Sequence, residues 1–155
     1  MKISPLQLER YFATDFHFTA NREFEVGRPI ELADGQFDVE SSALRHSAET
    51  RKWQITLQIK YKPAPSANAP YSFSLEMVGF FEVADTFPED QTEQMVRING
   101  SSMLYGSARE IVRDLTGRGP HSAMMLPSVS FFEPARKAVP PEAATQPKAG
   151  GAGQV

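Results

Sequence analysis

The chain has 155 residues, of which 41% are hydrophobic and 23% charged, a balance typical of one globular domain. Its net charge of −3 provides no basic field, so we expect neither nucleic acid nor an anionic membrane as a partner. The chain contains no cysteine, which excludes disulfides, thiolate nucleophiles and cysteine-bound metals. No apolar run is long enough for a signal peptide core or for membrane insertion, which predicts a cytoplasmic protein.

Polar and apolar residues alternate in several segments, and this period of two predicts β-strands. The clearest examples are residues 52–62 and 71–83, with a proline-containing loop between them. Shorter strands are predicted at residues 15–19 and 35–39. The segment between those two is apolar, but a glycine and a proline interrupt it. These properties favour a mobile groove wall over a regular strand.

The period changes to that of a helix over residues 101–115, where the apolar residues form a single stripe. Gly106 lies inside this stripe and is expected to permit close packing against the sheet. The apolar run at residues 124–132 contains a proline and suits an edge strand. Residues 134–155 are rich in proline, alanine and glycine, which predicts a disordered tail behind one domain of residues 1–133.

Several strands followed by a helix, without strand–helix alternation, predict an α+β fold. We expect a four-stranded antiparallel, meander-like sheet packed by one long helix. A helix of about fifteen residues is too short to cover such a sheet, so surplus apolar surface must meet another subunit or a bound chain. Eleven phenylalanines, four tyrosines and one tryptophan supply that surplus.

The sequence contains no recognisable catalytic or metal-binding constellation. Its three histidines, His17, His46 and His121, lack the HExxH spacing that places two zinc ligands on one helix face. No GxSxG nucleophile motif is present, and the acidic residues at 85–90 are predicted to lie in a solvated loop. We therefore expect a non-enzymatic protein without catalytic residues, metal or cofactor.

A second interpretation, from a different class, is a small-ligand-binding or hydrolytic domain in which the helix plugs a concave sheet. His17 or His46 would then lie near Asp15. This interpretation requires polar groups that converge in a pocket. A monomer with a closed pocket would favour it, whereas a tetramer that suppresses aggregation would favour a protein that holds other chains.

A set of short motifs occurs in a fixed order along the chain. They are Gln7-Leu8-Glu9-Arg10, Asp15-Phe16-His17-Phe18, the strands at 53–61 and 71–83, Tyr105-Gly106-Ser107-Ala108-Arg109-Glu110, Arg118-Gly119 and Leu126-Pro127-Ser128-Val129-Ser130-Phe131. Over roughly residues 7–133 the chain thereby resembles the SecB family of export chaperones. The resemblance implies a four-stranded antiparallel sheet with a long helix, assembled as a homotetramer (a dimer of dimers). It also implies an ATP-independent holdase that binds unfolded or precursor polypeptides in apolar grooves and delivers preproteins to the SecA motor.

The chain departs from the family pattern in two places, at the SecA-docking surface and at the C-terminus. The family's acidic docking surface matches Asp15, but Thr19 and Ser74 stand where further acids are expected. The prolines from residue 134 onward would break the family's second helix, and the tail is basic where the family's usual tail is acidic. A SecB-like holdase for another client, such as an aggregation-prone antitoxin, is therefore an alternative to a role in protein export.

Two sets of site residues follow from pattern and resemblance together. The client-binding set combines the irregular apolar segment with aromatic residues of the sheet: Phe24, Val26, Ile30, Leu32, Phe80 and Phe81. The oligomer interface is assigned to one alternation face of a strand, buried by assembly or by the helix: Tyr71, Phe73, Leu75 and Met77. Asp15 and Ser74 are the candidate SecA-docking positions.

Overall fold

The computed structural model describes residues 1–31 and 36–132. The strands within these residues are β1 (Leu6–Ala20), β2 (Phe37–Arg45), β3 (Lys52–Tyr61) and β4 (Tyr71–Val83). Leu32 of the predicted client-binding set and the tail predicted from residue 134 lie outside the described residues.

The four strands pair antiparallel in the order β1-β4-β3-β2, which confirms the predicted α+β class. Strands β2, β3 and β4 follow one another and form the expected meander. Strand β1 instead pairs with β4, so the chain crosses from one sheet edge to the other between β1 and β2, as in a Greek key. Strand β1 has 15 residues, far more than the five predicted at 15–19. Two register shifts interrupt its alternation of polar and apolar residues, so the sequence pattern showed only part of the strand.

Three consecutive helical segments cross one face of the sheet. They are α1 (Glu89–Met95), a π-helical turn (Val96–Gly100) and α2 (Ser101–Gly117). Pro88 occupies the N-cap position of α1, and Glu89 and Asp90 stabilise the helix N-terminus from its first turn. The acidic residues at 85–90 are exposed, as predicted, but from residue 89 onward they lie in a helix and not in a loop. Within the described part of the chain, the helices are too short or too polar to cross a membrane.

The face of the sheet that meets α2, called here the inner face, carries the core. Its fully or almost fully buried side chains on β3 and β4 include Trp53, Ile55, Leu57, Ile59, Phe73, Leu75, Met77 and Phe81. The helix contributes the predicted stripe, with Leu104, Ala108 and Val112 buried. Burial of this apolar surface, at about 25 cal/mol per Å², is the main stabilising contribution to the fold.

The close approach between helix and sheet occurs at a different glycine from the predicted one. A Cβ added at Gly106 would meet nothing within 4 Å, so the expected packing role of this residue is wrong. A Cβ on Gly100 would instead clash with Ile55 Cδ1, and one on Gly79 would lie 3.1 Å from Leu104 Cδ1. Gly100 ends the π-helical turn, so the turn places the residue without a side chain where helix and sheet are nearest.

Residues 118–132 follow α2 and run back along it in an extended path. The Tyr105 hydroxyl donates to the Pro127 carbonyl at 2.6 Å, and the Met124 N–H donates to Thr116 Oγ1 at 2.8 Å. Leu126 is buried in the core. The edge strand predicted at 124–132 is therefore wrong, because this segment packs on the helix instead of pairing with the sheet.

Candidate functional site

The connection between β1 and β2 presents apolar side chains to solvent. Its described part, residues 21–31, is called here the crossover segment. Val26 is 92% exposed and Ile30 is 48% exposed, whereas Phe24 is half-buried with its ring centroid 4.8 Å from that of His121. The predicted client-binding residues of this segment therefore divide into two outward-facing side chains and one anchor.

The structure does not bring Phe80 and Phe81 to the crossover segment. The segment lies beside the start of β4, since the Asn21 N–H donates to the Pro70 carbonyl at 2.8 Å. Phe80 lies about nine residues further along the strand, which is roughly 30 Å at about 3.3 Å per residue. Phe81 is fully buried in the core, so its assignment to client binding is corrected here.

Phe80 lies on the opposite side of the sheet, called here the outer face. It is half-buried between Phe12, at 6.1 Å between ring centroids, and the Arg10 guanidinium, at 4.6 Å from its ring. These contacts form a small apolar strip, far from the crossover segment. One continuous binding surface through both sets of predicted residues is therefore not possible within a protomer.

A groove of about 700 Å³ lies between β2 and the helices, and the sequence did not indicate it. The groove, called here the edge groove, is lined by Val39, Ser41, Ala43, Asp90, Glu93, Gln94, Arg97, Ile98, Ser130 and Phe131. These residues come from three separate segments of the chain, so no local pattern could reveal that they meet. The β2 residues that line the groove start at Val39, two positions after the first residue of the strand. In sequence, the groove residues of β2 therefore come soon after the connection between β1 and β2.

The edge groove combines apolar side chains with a strand edge. Strand β2 has no second neighbour among the described strands, and the edge of a sheet presents backbone N–H and C=O groups that can pair with another chain. Val39, Ala43 and Phe131 are half-buried and supply apolar contacts. The charges of Glu93 and Arg97 compensate each other, with Oε1 and Nε 3.2 Å apart. An extended peptide could therefore find both backbone and apolar partners here.

The residues assigned to the oligomer interface belong to the core of a single protomer. Tyr71, Phe73, Leu75 and Met77 are between 0 and 4% exposed. They lie on the inner face, where the helix and the segment after it cover them. This part of the prediction is corrected, since side chains already buried in one protomer leave no surface for a second. Burial by the helix was the other alternative that the pattern left open.

Comparison with known proteins decides the family. The family described as "Preprotein translocase subunit SecB" matches residues 2–134. The chain belongs to the SecB family. The protein-export protein SecB of Rhodopseudomonas palustris (strain TIE-1) is 24% identical over 120 residues, which cover 74% of this chain and 76% of that protein. The SecB of Hydrogenovibrio crunogenus is 24% identical over 127 residues, covering 79% and 85%.

Some SecB relatives match over shorter spans, and a solved structure shares the fold. The SecB of Psychrobacter arcticus matches over 64% of its own length. The Mycobacterium tuberculosis Rv1957 SecB-like chaperone, solved in complex with a ChAD peptide from the Rv1956 HigA1 antitoxin, has a TM-score of 0.52 and 16% identity. The match covers 81% of this chain and 91% of that one, and at this identity it supports the fold alone.

The candidate SecA-docking residues lie together on the outer face. His17 pairs with Ser74 across the strands, and its Nε2 lies 3.3 Å from Asp15 Oδ1. Asp15 pairs with Glu76, a carboxylate next to Ser74 on the same face that the family pattern did not indicate. A hydrogen bond from Thr14, and a second from Gln58, lower the pKa of Glu76 below its usual value.

The histidines do not assemble the pocket required by the small-ligand interpretation. His46 lies in the turn after β2, where Nδ1 accepts the Glu49 N–H at 2.9 Å. The backbone N–H of His46 donates to the Lys52 carbonyl. This turn lies at the opposite end of the sheet from His17. Within residues 1–31 and 36–132, no group of three or more metal-ligating side chains forms a candidate metal site.

Proposed function

We propose that this SecB family chaperone holds unfolded or precursor polypeptides in the cytoplasm, without ATP, and keeps them competent for export. The single observation that carries the proposal is that two features follow each other along the chain. Exposed apolar side chains of the crossover segment, Val26 and Ile30, precede a strand whose free edge forms one wall of the edge groove. Together they offer an extended chain apolar contacts followed by backbone hydrogen bonds.

The proposed mechanism explains why such a site accepts many clients. Backbone pairing with the edge of β2 would be independent of the client's sequence, as in β-strand addition. Apolar contacts with Val26, Ile30 and Phe131 require only hydrophobic side chains of a suitable size. Neither interaction needs a catalytic group or a nucleotide. Repetition of the site in an oligomer would then increase affinity by avidity.

A homotetramer, as a dimer of dimers, is part of the proposal, with an interface different from the one predicted. Strand β1 is the other edge of the described sheet, and it carries Tyr11 and Phe12, which are 46% and 45% exposed. Met103 on α2 is also exposed. Apolar side chains on a free strand edge support assembly through β1 and the nearby helix surface.

Two client classes remain distinct within the proposal. The names of the curated relatives support export, and the cluster of Asp15 and Glu76 supports SecA docking on the outer face. Thr19 and Ser74 lack the acids expected there, and the M. tuberculosis neighbour was solved with an antitoxin peptide. An antitoxin client is therefore the second candidate. Binding assays with SecA and with an antitoxin peptide would separate the two.

The test of the holdase uses Val26→Ser/Ile30→Ser, with Leu44→Ser as the matched control. Leu44 is also exposed, but it lies on β2 at the end of the sheet away from the crossover segment. We expect the double variant to bind a permanently unfolded test protein about tenfold more weakly, which corresponds to about 1.4 kcal/mol. The control should match the wild type. Binding is measured by calorimetry, and suppression of client aggregation by light scattering, both without nucleotide.

The conditions of the same experiment separate apolar from electrostatic binding. Apolar burial predicts a negative heat-capacity change and an affinity that changes little as salt is raised. Size-exclusion chromatography with light scattering checks that the variants keep the wild-type mass. If the wild type does not suppress aggregation, or if its affinity collapses with salt, the proposed function is wrong.

A further inference from the structure

The crossover segment exposes its apolar side chains while its backbone is tied to the protein body. The Asn21 side chain donates to the Ala69 carbonyl at 2.9 Å, and the Glu31 N–H donates to the Ala67 carbonyl at 2.9 Å. Both partners belong to the loop that precedes β4. The irregular sequence of the segment predicts a mobile wall, but the structure instead holds the segment at both ends.

Asn68 makes the central attachment. Its Oδ1 accepts the Glu25 N–H at 2.9 Å, and its Nδ2 donates to the carbonyls of Glu25 and Arg28, each at 3.0 Å. Asn68 is only 4% exposed, so these hydrogen bonds are shielded from competing water. Its φ of 48° lies in the left-handed region, which asparagine tolerates better than most residues. One side chain therefore satisfies three backbone groups of the segment.

His121 makes a second attachment from the turn after α2. Its Nε2 lies 2.8 Å from the Asn21 carbonyl, which can only accept, so Nε2 carries the proton. The Tyr71 hydroxyl fixes this turn, because it accepts the His121 N–H at 2.9 Å. The His121 ring also packs against Phe24. The turn after the helix is thereby connected to the start of the crossover segment.

We infer that Asn68 and His121 are positioning residues for client binding, which hold the crossover segment in the conformation that presents Val26 and Ile30. Both bind backbone carbonyls of the segment, and Asn68 also binds a backbone N–H, so the polar groups face inward and the apolar side chains face outward. A segment ordered in advance avoids the entropic cost of ordering when a client binds. This inference rests on the proposed function, since it names the residues that support the same surface.

The first experiment compares Asn68→Gly with Ser66→Gly in the full chain. Glycine adopts the left-handed conformation without strain, so Asn68→Gly removes the hydrogen bonds of the side chain and leaves the backbone unhindered. Ser66→Gly introduces similar backbone freedom in the same loop. Hydrogen exchange of residues 22–31, measured without client, should become faster in Asn68→Gly and stay near the wild-type rate in the control. Equal rates in Asn68→Gly and the wild type would overturn the inference.

The second experiment asks whether the attachment acts through the apolar side chains. Asn68→Gly should weaken binding of a permanently unfolded test protein about fivefold, because the segment must then be ordered on binding. In the Val26→Ser/Ile30→Ser background, the same substitution should have almost no further effect. An equal loss in both backgrounds would indicate general destabilisation and contradict a positioning role.

His121 offers a rescue experiment. His121→Ala should accelerate exchange of the segment and weaken client binding, whereas His121→Gln can donate from its amide to the Asn21 carbonyl and should restore much of both. Absence of any difference between the two variants would contradict the role of His121. The exchange measurements need no client, so they test the attachment of the crossover segment independently of client binding. A wild type that binds no client would refute the proposed function without affecting that test.

Discussion

The inner face of β4 and the crossover segment are both rich in apolar residues, but the structure uses them in opposite ways. On β4, Leu75 and Met77 are buried beneath the helix, and their polar neighbours in sequence face the other side. In the crossover segment, Val26 and Ile30 face solvent, and the backbone is held by the buried amide of Asn68 and the half-buried imidazole of His121. A strand buries side chains through its period of two, whereas an irregular segment can bury its backbone and leave side chains exposed.

This difference separates stability from binding within one small protein. Substitutions on the inner face should change the free energy of unfolding, and substitutions at exposed crossover positions should change client affinity with little effect on stability. Substitutions of Asn68 or His121 should affect the order of the segment. The following predictions test that separation, beginning with the largest expected effect.

Leu75→Glu should have the largest effect on stability. The substitution places a carboxylate in the apolar core without a partner, at an expected cost of about 4 kcal/mol or more in the free energy of unfolding. Ser74→Glu is the matched control, because the neighbouring residue faces the outer side of the same strand. Urea denaturation followed by circular dichroism measures both. A Leu75→Glu protein as stable as the control would mean that this face is not the core.

Gly100→Ala should have an intermediate effect. The new methyl group would meet Ile55 where helix and sheet are closest, and overpacking of this kind costs about 1–3 kcal/mol. Gly106→Ala, in the helix α2 that follows directly, is the control, and it should stabilise the protein by up to about 1 kcal/mol, because alanine favours helix and the site is open. Thermal unfolding of the two variants should therefore shift the melting temperature in opposite directions. Shifts of the same sign would contradict the assigned contact.

Deletion of residues 136–155 should have the smallest effect. The composition of this tail offers little apolar surface to offset the entropy of ordering it. The melting temperature and the mass in solution should stay close to those of the full chain, and client binding should persist. A large fall in the melting temperature would show that these residues contribute to the folded protein.

Local patterns predicted the parts of the fold that depend on near neighbours in sequence. Residues 52–61 form β3 almost as predicted, because Trp53 through Tyr61 alternate without interruption. The helical stripe from Leu104 to Val112 also predicted α2 correctly. The register shifts of β1 concealed most of that strand, and the acidic start of α1 resembled a solvated loop. In both cases the local signal was present but was typical of more than one structure.

The candidate site depended far more on tertiary structure. Val26 and Ile30 were predicted as binding residues from their apolar, irregular segment, and the structure places both on the surface. Phe81 was assigned to a client-binding surface and is buried, whereas Met77 was predicted to be buried either by assembly or by the helix. Alternation distinguishes two faces but does not say which one the helix covers. The edge groove could not be predicted, because its lining residues are far apart in the chain.

By itself, the sequence determined the fold class, the main strands and helix, and the SecB family, because periodicity and motif order are properties of neighbouring residues. Only the tertiary structure decided which sheet face is the core, which glycine lies at the helix–sheet contact, and how Asn68 and His121 reach the crossover segment. Those features depend on residues brought together from distant parts of the chain. The Asn68 attachment joins positions 43 residues apart and the His121 attachment positions 100 apart, and no local pattern reports such a contact.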